Sequence, residues 1–265
     1  MIANISTLSF LTIIFCALSC SMMGNLVLWK RISFYGDAVS HSALLGFTLG
    51  AFLEINQLII LIFFNLFFAF LVNIFSKQKS FAIDSIVMIL SYFFISCAVL
   101  FNENFNKNFI FEEFLFGDIS NITSLNFVII LILTSLILFF IIRYLNKFLI
   151  SLLNQDVAIV KNIKINNLNY LFMILLSLLI AFAVKVTGVF LITALMIIPC
   201  ATARIFSKNP QEMILKSAIL GVFISILGVV LAGFINTSIA PSIIFFHCLI
   251  FFISLLIKNL FYEKI

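Results

Sequence analysis

The chain has 265 residues, of which 64% are hydrophobic and only 9% are charged. A water-soluble domain carries about a quarter charged residues, so this composition excludes a soluble domain and is typical of a chain that lies in a lipid bilayer. The apolar runs show no polar alternation, which favours helices over a membrane β-barrel. The sequence therefore predicts an all-α polytopic membrane protein, and the net charge of +5 is not taken as evidence for a nucleic-acid partner.

Nine apolar runs are long enough to cross a bilayer, which takes roughly 20 residues per helix. Only residues 185–187 separate the sixth run from the seventh, so eight spans with one broken helix is an alternative to nine. We expect one transmembrane domain over residues 1–265, built as a bundle of eight or nine helices. The runs cover residues 7–29, 37–53, 57–75, 81–101, 126–145, 168–184, 188–206, 217–235 and 242–258.

The basic residues give this bundle an orientation. If the N-terminus lies outside, 13 of the 15 Lys and Arg residues fall on the inner side, and only Lys107 and Lys185 fall on the outer side. The positive-inside rule therefore predicts an outer N-terminus. Acidic residues cluster instead in the outer loop 102–125, where residues 111–118 predict a short interfacial helix.

The second run carries the strongest candidate for chemistry, the pair Asp37 and His41. Residues four apart lie on one face of a helix, and ionisable groups inside an apolar span are candidates for function. A carboxylate and an imidazole suit zinc, manganese or iron better than calcium or magnesium. The alternative is a structural hydrogen bond between packed helices. Two ligands do not complete a tetrahedral site, so a partner helix or a second copy would be needed.

Other residues in the spans have simpler interpretations. Gly46 and Gly50 form a GxxxG step that lets another helix approach closely, and Pro199 removes one helical hydrogen bond, which predicts a disturbed seventh helix. His247 is interpreted as a satisfied buried histidine. The five cysteines lie inside apolar runs without a CxxC pair, which predicts buried free thiols.

The inner loop 146–167 contains a short mixed run from Asn154 to Lys161. Asn154 is a good N-cap, Asp156 falls in the first turn, and Lys161 falls in the last, as the helix dipole favours. This pattern predicts a short cytoplasmic helix that also contains Gln155 and Ala158. A plain connector is the alternative.

The sequence has no Gly-x-x-x-x-Gly-Lys pattern, so the chain cannot bind ATP through a P-loop of its own. Any work driven by ATP would need a separate subunit.

Three runs together resemble the metal-ion-type permeases of ABC transporters, and most of all the zinc-uptake members of that family. These runs are 31–46, 115–118 and 188–204. The resemblance implies a transport subunit of the bacterial inner (plasma) membrane, which is not itself an enzyme. Its expected partners are a second copy of itself, a cytoplasmic ATP-binding subunit, an outer-face metal-binding protein and membrane lipid.

The resemblance also assigns roles to residues. It implies that Asp37 and His41 line the path of a transported ion, Zn²⁺ or alternatively Mn²⁺ or Fe²⁺, with no permanently bound cofactor. Gly46, Gly50, Gly188 and Pro199 would shape the helices of that path. Residues 154–162 would form a coupling helix on the ATP-binding subunit. A rival reading from the residues alone is a proton-driven secondary transporter that uses the same pair as a relay.

Two departures from the family pattern stand out. Relatives usually have Gly where this chain has Asn162, and they tend to show Asp-x-Pro-x-Gly where this chain reads 236–241. The second departure weakens any case for a further outer-face ligand.

Overall fold

The computed structural model describes residues 7–53, 55–76, 82–105, 117, 122–235 and 237–262. Within these ranges the regular structure is helical, with nine helices and no strand. The helices are α1 (Thr7–Trp29), α2 (Tyr35–Leu53), α3 (Gln57–Phe75), α4 (Ile83–Phe105), α5 (Ser124–Leu153), α6 (Gln155–Val160), α7 (Ile165–Phe206), α8 (Pro210–Ile235) and α9 (Ile239–Tyr262). The predicted all-helical fold is confirmed.

Seven of the described helices are long and apolar enough to cross a membrane: α1, α3, α4, α5, α7, α8 and α9. The helix α2 is not among them, although it has 19 residues. Its first half is polar, because it contains Asp37, Ser40, His41 and Ser42. The helix that carries the candidate ligands is thus the least lipid-like of the long helices in the described part of the chain.

The sixth and seventh predicted spans form one element, α7, which has 42 residues. Its dihedral angles leave the helical range at Gly188, where φ is 75° and ψ is 165°. The break therefore lies at Gly188, directly after the predicted separator, and not at Pro199. A proline ring has a φ near −65°, which is compatible with a helix even where one hydrogen bond is lost.

The chain divides into two compact units. The first contains residues 1–28, 111–131 and 183–265. Small residues bring its helices close: a Cβ atom on Gly221 would lie 2.9 Å from the Cβ of Ser21, and one on Gly228 would lie 2.6 Å from the Cα of Ile243. Such near contacts are how helices associate in lipid, where the hydrophobic effect between helices is absent.

The second unit contains residues 29–110 and 132–182, and with them α2, α3 and α4. Aromatic rings form much of its interior. Phe68 and Phe94 are fully buried, and their ring centroids are 5.6 Å apart in an edge-to-face arrangement. Phe93, Phe139 and Ile142 are in contrast exposed, as expected for side chains that face lipid.

Several predictions concern residues outside the described ranges. These are the interfacial helix at 111–118, apart from Gly117, and Asn236 in the last outer loop. The single domain over residues 1–265 stays a prediction.

Candidate functional site: the acid and histidine of helix α2

The pair Asp37 and His41 lies one turn apart at the start of α2, as predicted. Both side chains are half-buried, and the carboxylate is close enough to the imidazole for the two to interact electrostatically. The residues between them, Val39 and Ser40, are completely buried. The acid and the histidine are therefore the least covered residues in the first two turns of α2.

The imidazole of His41 is held by α4. Its Nδ1 lies 2.6 Å from the Oγ of Ser91, which is buried. A hydrogen bond at Nδ1 fixes the ring and leaves Nε2 as the nitrogen that can bind another group. Ser91 could not be found from the sequence, because the two residues are 50 positions apart and a serine within an apolar helix has no local signature.

The helix α2 is fixed in the second unit along its length. The hydroxyl of Ser42 donates a hydrogen bond of 2.8 Å to the Oδ1 of Asn65 in α3. A Cβ atom on Gly46 would lie 2.9 Å from the Cα of Leu61, and one on Gly50 would lie 3.1 Å from the Cα of Gln57. The predicted GxxxG step is thus where α2 approaches α3 most closely.

The start of α2 is anchored as well. Tyr35 is fully buried, its hydroxyl is 3.2 Å from the Oγ of Ser177, and its ring meets Phe68 edge-on. Just before it, the ammonium of Lys30 donates to the Oδ1 of Asn169 over 3.0 Å and lies 5.3 Å from the ring centroid of Phe172. Burial lowers the pKa of Lys30 from 10.5 to about 8.

The chemistry of the pair is that of half a metal site. A carboxylate oxygen and an imidazole nitrogen are ligands of divalent transition metals, but a tetrahedral site takes four. Among the described residues no cluster of three or more His, Cys, Asp or Glu side chains could hold a metal ion. Within the part of the chain that the structure describes, the pair therefore has no third protein ligand of those types.

The predicted short helix in the inner loop is present as α6. Asn154 is its N-cap, and its Oδ1 accepts hydrogen bonds from the backbone N–H groups of Asp156 (2.9 Å) and Val157 (3.2 Å). Gln155 is the first helical residue, and Lys161 is the C-cap. The segment 154–161 is therefore a short helix with both caps present.

The two faces of α6 differ in exposure. Ala158, which the sequence places within the docking segment, is completely buried, so it packs on its own chain and cannot contact a partner directly. The exposed apolar side chains are those of Val157, Ile159 and Val160. A helix of 6 residues is too short for the sequence to reveal which side faces the protein.

The end of α6 explains the departure at Asn162. Its φ is 53°, in the left-handed region, where glycine is the usual residue and asparagine the usual substitute. The N–H of Asn162 bonds to the carbonyl of Ile159 and the N–H of Ile163 to that of Ala158, both over 2.9 Å. This is the Schellman arrangement that ends many helices, so asparagine serves here where relatives have glycine.

The second histidine, His247, lies in the first unit. In His247 the Nδ1 is 2.9 Å from the carbonyl oxygen of Ile243, whereas the buried Nε2 has no hydrogen-bond partner among the described residues. The histidine is thus buried but only half satisfied. All five cysteines are free thiols; Cys16, Cys20 and Cys200 are buried, and Cys97 and Cys248 are half-buried.

Together these features define a multi-pass helical membrane protein with a pair of metal-type ligands on a polar helix. Comparison with known protein families assigns the chain to one of them. The ABC 3 transport family matches residues 4–258, and the chain belongs to that family. It is an ABC transporter permease, a multi-pass protein of the bacterial inner membrane.

Individual relatives cover nearly the whole chain. The "High-affinity zinc uptake system membrane protein ZnuB" of Buchnera aphidicola subsp. Baizongia pistaciae is 32% identical over 90% of this chain and 92% of its own length. The protein of the same name from Haemophilus influenzae is 32% identical over 93% and 95%. The "Manganese import system permease protein ScaB" of Streptococcus gordonii is 29% identical over 89% and 84%.

A solved structure has the same fold. A chain of PsaBC from Streptococcus pneumoniae, in complex with Fab, superimposes with a TM-score of 0.80 at 25% identity. The match covers 96% of this chain and 95% of that one.

Proposed function

We propose that the chain is the permease subunit of an importer that carries a divalent transition metal across the inner membrane, and that the metal is zinc. The observation that carries the proposal is the pairing of Asp37 and His41, the two half-buried residues in the otherwise buried first two turns of α2. Imidazole with carboxylate suits zinc, and two relatives that are 32% identical are named for zinc uptake. The ion is cargo and is not held permanently.

Manganese is the second candidate, because one relative of 29% identity is named for manganese import. The same two ligand types also accept iron. Imidazole favours zinc over manganese, and competition among the three ions in an uptake assay decides which one is carried.

The site becomes complete if a second copy of the chain contributes its own pair. Two carboxylates and two imidazoles then supply four donors, which is the usual number for zinc. Few ionisable groups lie inside spans, and those that do are costly unless they are paired or bind an ion. This supports a homodimer in which the two α2 helices meet at the ion path.

The energy would come from a separate ATP-binding subunit, since the chain has no P-loop pattern. The exposed apolar side chains of Val157, Ile159 and Val160 on α6 would dock on that subunit. A metal-binding protein would deliver the ion at the outer face, where the sequence places most of the acidic loop residues.

The proposed topology has the N-terminus outside and nine spans. It counts α2 as a span and α7 as two, on either side of Gly188. At about 1.5 Å per residue, the 42 residues of α7 would extend about 63 Å if straight, roughly twice the hydrocarbon thickness of a bilayer. That excess length supports two crossings over one.

Uptake of radioactive zinc into cells that lack their own high-affinity system tests the proposal. His41→Gln and Asp37→Asn keep side-chain size and remove a metal ligand, so we expect each to lower uptake by at least about tenfold. The matched control is Ser96→Ala, because Ser96 is exposed and, among the described residues, its hydroxyl donates within its own helix to the carbonyl of Tyr92. Membrane levels of the complex should stay the same in all variants.

Two outcomes would contradict the proposal. Normal zinc uptake by His41→Gln would show that His41 is not a ligand of the transported ion. Uptake that persists without a co-expressed ATP-binding subunit would favour a proton-driven transporter. Excess unlabelled Mn²⁺ or Fe²⁺ that competes better than Zn²⁺ would reassign the metal.

A further inference from the structure

The contact between α4 and the candidate ligand on α2 has a specific chemical form. The Nδ1 of His41 lies 2.6 Å from the Oγ of Ser91, which is a short distance even for a hydrogen bond between polar side chains. Ser91 is only 7% exposed, so water does not readily replace it. The ring of His41 is therefore held by one defined partner.

The direction of that bond decides what His41 can bind. A neutral imidazole has one N–H and one nitrogen lone pair. If Nδ1 carries the hydrogen and donates it to Ser91, the lone pair is on Nε2 and faces away from α4. If Ser91 donates instead, Nε2 carries the hydrogen and cannot bind a metal without a tautomer change.

Other serines of the chain show how a helical hydroxyl can be satisfied while its oxygen accepts a hydrogen bond. Ser96 in α4 donates its hydroxyl to the carbonyl of Tyr92 over 2.7 Å, and Ser254 in α9 does the same to Ile250 over 2.7 Å. A hydroxyl that is used in this way keeps its oxygen lone pairs for an incoming N–H. The contact that the structure shows for Ser91 is the one to His41, so for its oxygen to accept, its hydroxyl turns to a carbonyl one turn back in α4, as the hydroxyl of Ser96 does.

We infer that Ser91 is a positioning residue for metal binding: it accepts the Nδ1–H of His41 and so presents Nε2 to the transported ion. The inference rests on the proposed function of His41 as a metal ligand. Histidines that bind metals commonly donate their other N–H to a fixed acceptor, and loss of that acceptor lowers metal affinity about 10- to 100-fold. A serine supplied by a different helix also makes the ligand depend on the packing of α2 against α4.

The test uses the full chain in lipid nanodiscs, labelled with nitrogen-15 in the histidine rings. The chain has only two histidines, so the signals lost in His41→Gln and in His247→Gln assign each ring. At a pH where the rings are neutral, we expect His41 to be protonated at Nδ1, and Zn²⁺ alone to shift its Nε2. Ser91→Ala should mix the tautomers and weaken Zn²⁺ binding at least about tenfold.

Two variants separate positioning from packing. Ser91→Thr keeps the hydroxyl and should restore both the tautomer and the affinity, whereas Ser96→Ala removes a hydroxyl that does not touch His41 and should change neither. If Ser91→Ala keeps the wild-type tautomer and Zn²⁺ affinity while Zn²⁺ still shifts His41, only the role of Ser91 is overturned. If Zn²⁺ shifts neither nitrogen of His41 in the wild type, the metal site and the role of Ser91 fail together.

Discussion

The backbone of Gly117 lies against the break in α7 at Gly188. A Cβ atom on Gly117 would come within 2.6 Å of the carbonyl carbon of Thr187 and 2.8 Å of the carbonyl oxygen of Val186. Both glycines have a positive φ, of 73° and 75°. They belong to two segments, 115–118 and 188–204, that the family resemblance identified separately, and their contact gives a physical reason for glycine at both positions.

Replacement of Gly188 should destabilise the fold. A φ of 75° with a ψ of 165° is a conformation that is essentially restricted to glycine and costs other residues about 1–3 kcal/mol. We expect Gly188→Ala to lower the midpoint of thermal unfolding, measured in lipid nanodiscs, and to reduce the yield of folded protein. Lys185→Ala, at an exposed position just before the break, is the control and should leave the midpoint unchanged. An unaltered midpoint in Gly188→Ala would mean that the break is not required.

Two substitutions of Asn162, the left-handed residue at the end of α6, should affect stability differently. Asn162→Gly should be neutral or slightly stabilising, because glycine adopts a φ near 53° without strain. Asn162→Val should destabilise by about 1–2 kcal/mol, since a β-branched side chain meets the following carbonyl in that conformation. Thermal unfolding of the two variants beside the wild type checks the order. If valine were tolerated as well as glycine, the Schellman ending of α6 would be wrong.

Much of this fold could be predicted from hydropathy, because the bilayer imposes the same length and apolarity on each spanning helix, independently of the other helices. A span must be about 20 apolar residues long whatever its neighbours are, so the runs at 57–75 and 217–235 correspond closely to α3 and to the end of α8. The one-turn spacing of Asp37 and His41 is equally local. The prediction that the two side chains share one helix face requires only that residues 37–41 be helical, and they are.

The parts that could not be predicted depend on contacts between helices. Ser91 acts on His41 from 50 residues away, and nothing in the local sequence of α4 marks it. The burial of Ala158 depends on what α6 packs against, which its short sequence does not show. Around residues 185–187 the sequence predicted only a choice between two separate spans and one broken helix, and the dihedral angles place the break at Gly188.

The half-buried lysine before α2, Lys30, predicts a dependence of stability on pH. Burial lowers the pKa of Lys30 in the folded protein to about 8, against 10.5 in the unfolded chain. Below about 8 both states hold the proton, and the buried charge is unfavourable. Between about 8 and 10.5 the folded state releases the proton while the unfolded state keeps it, so the free energy of unfolding rises with pH in this window.

Unfolding midpoints measured across that window check this behaviour. Lys30→Met keeps the apolar stem that lies along Phe172 and removes the ionisable group. We expect the midpoint of the wild type to rise relative to that of Lys30→Met as the pH goes from neutral to alkaline. A constant difference between the two proteins across the window would show that Lys30 is not desolvated in the folded state.

The exposed side of α6 should carry the contact with the ATP-binding subunit. Ile159 is 64% exposed and apolar, so a carboxylate at this position would be buried without a partner in the docked complex. We expect Ile159→Asp to reduce co-purification of the ATP-binding subunit and metal uptake by about tenfold or more, which is the effect of losing a central interface residue. Zn²⁺ binding at His41 should not change, because the permease itself stays folded.

Two further variants locate the effect. Asn166→Asp adds the same charge at an exposed position in the first turn of α7, outside α6, and should leave association and uptake close to wild type, as most exposed substitutions do. Ala158→Asp places the charge on the buried side and should lower the unfolding midpoint as well as association. Normal association and uptake in Ile159→Asp would exclude this face of α6 as the docking surface.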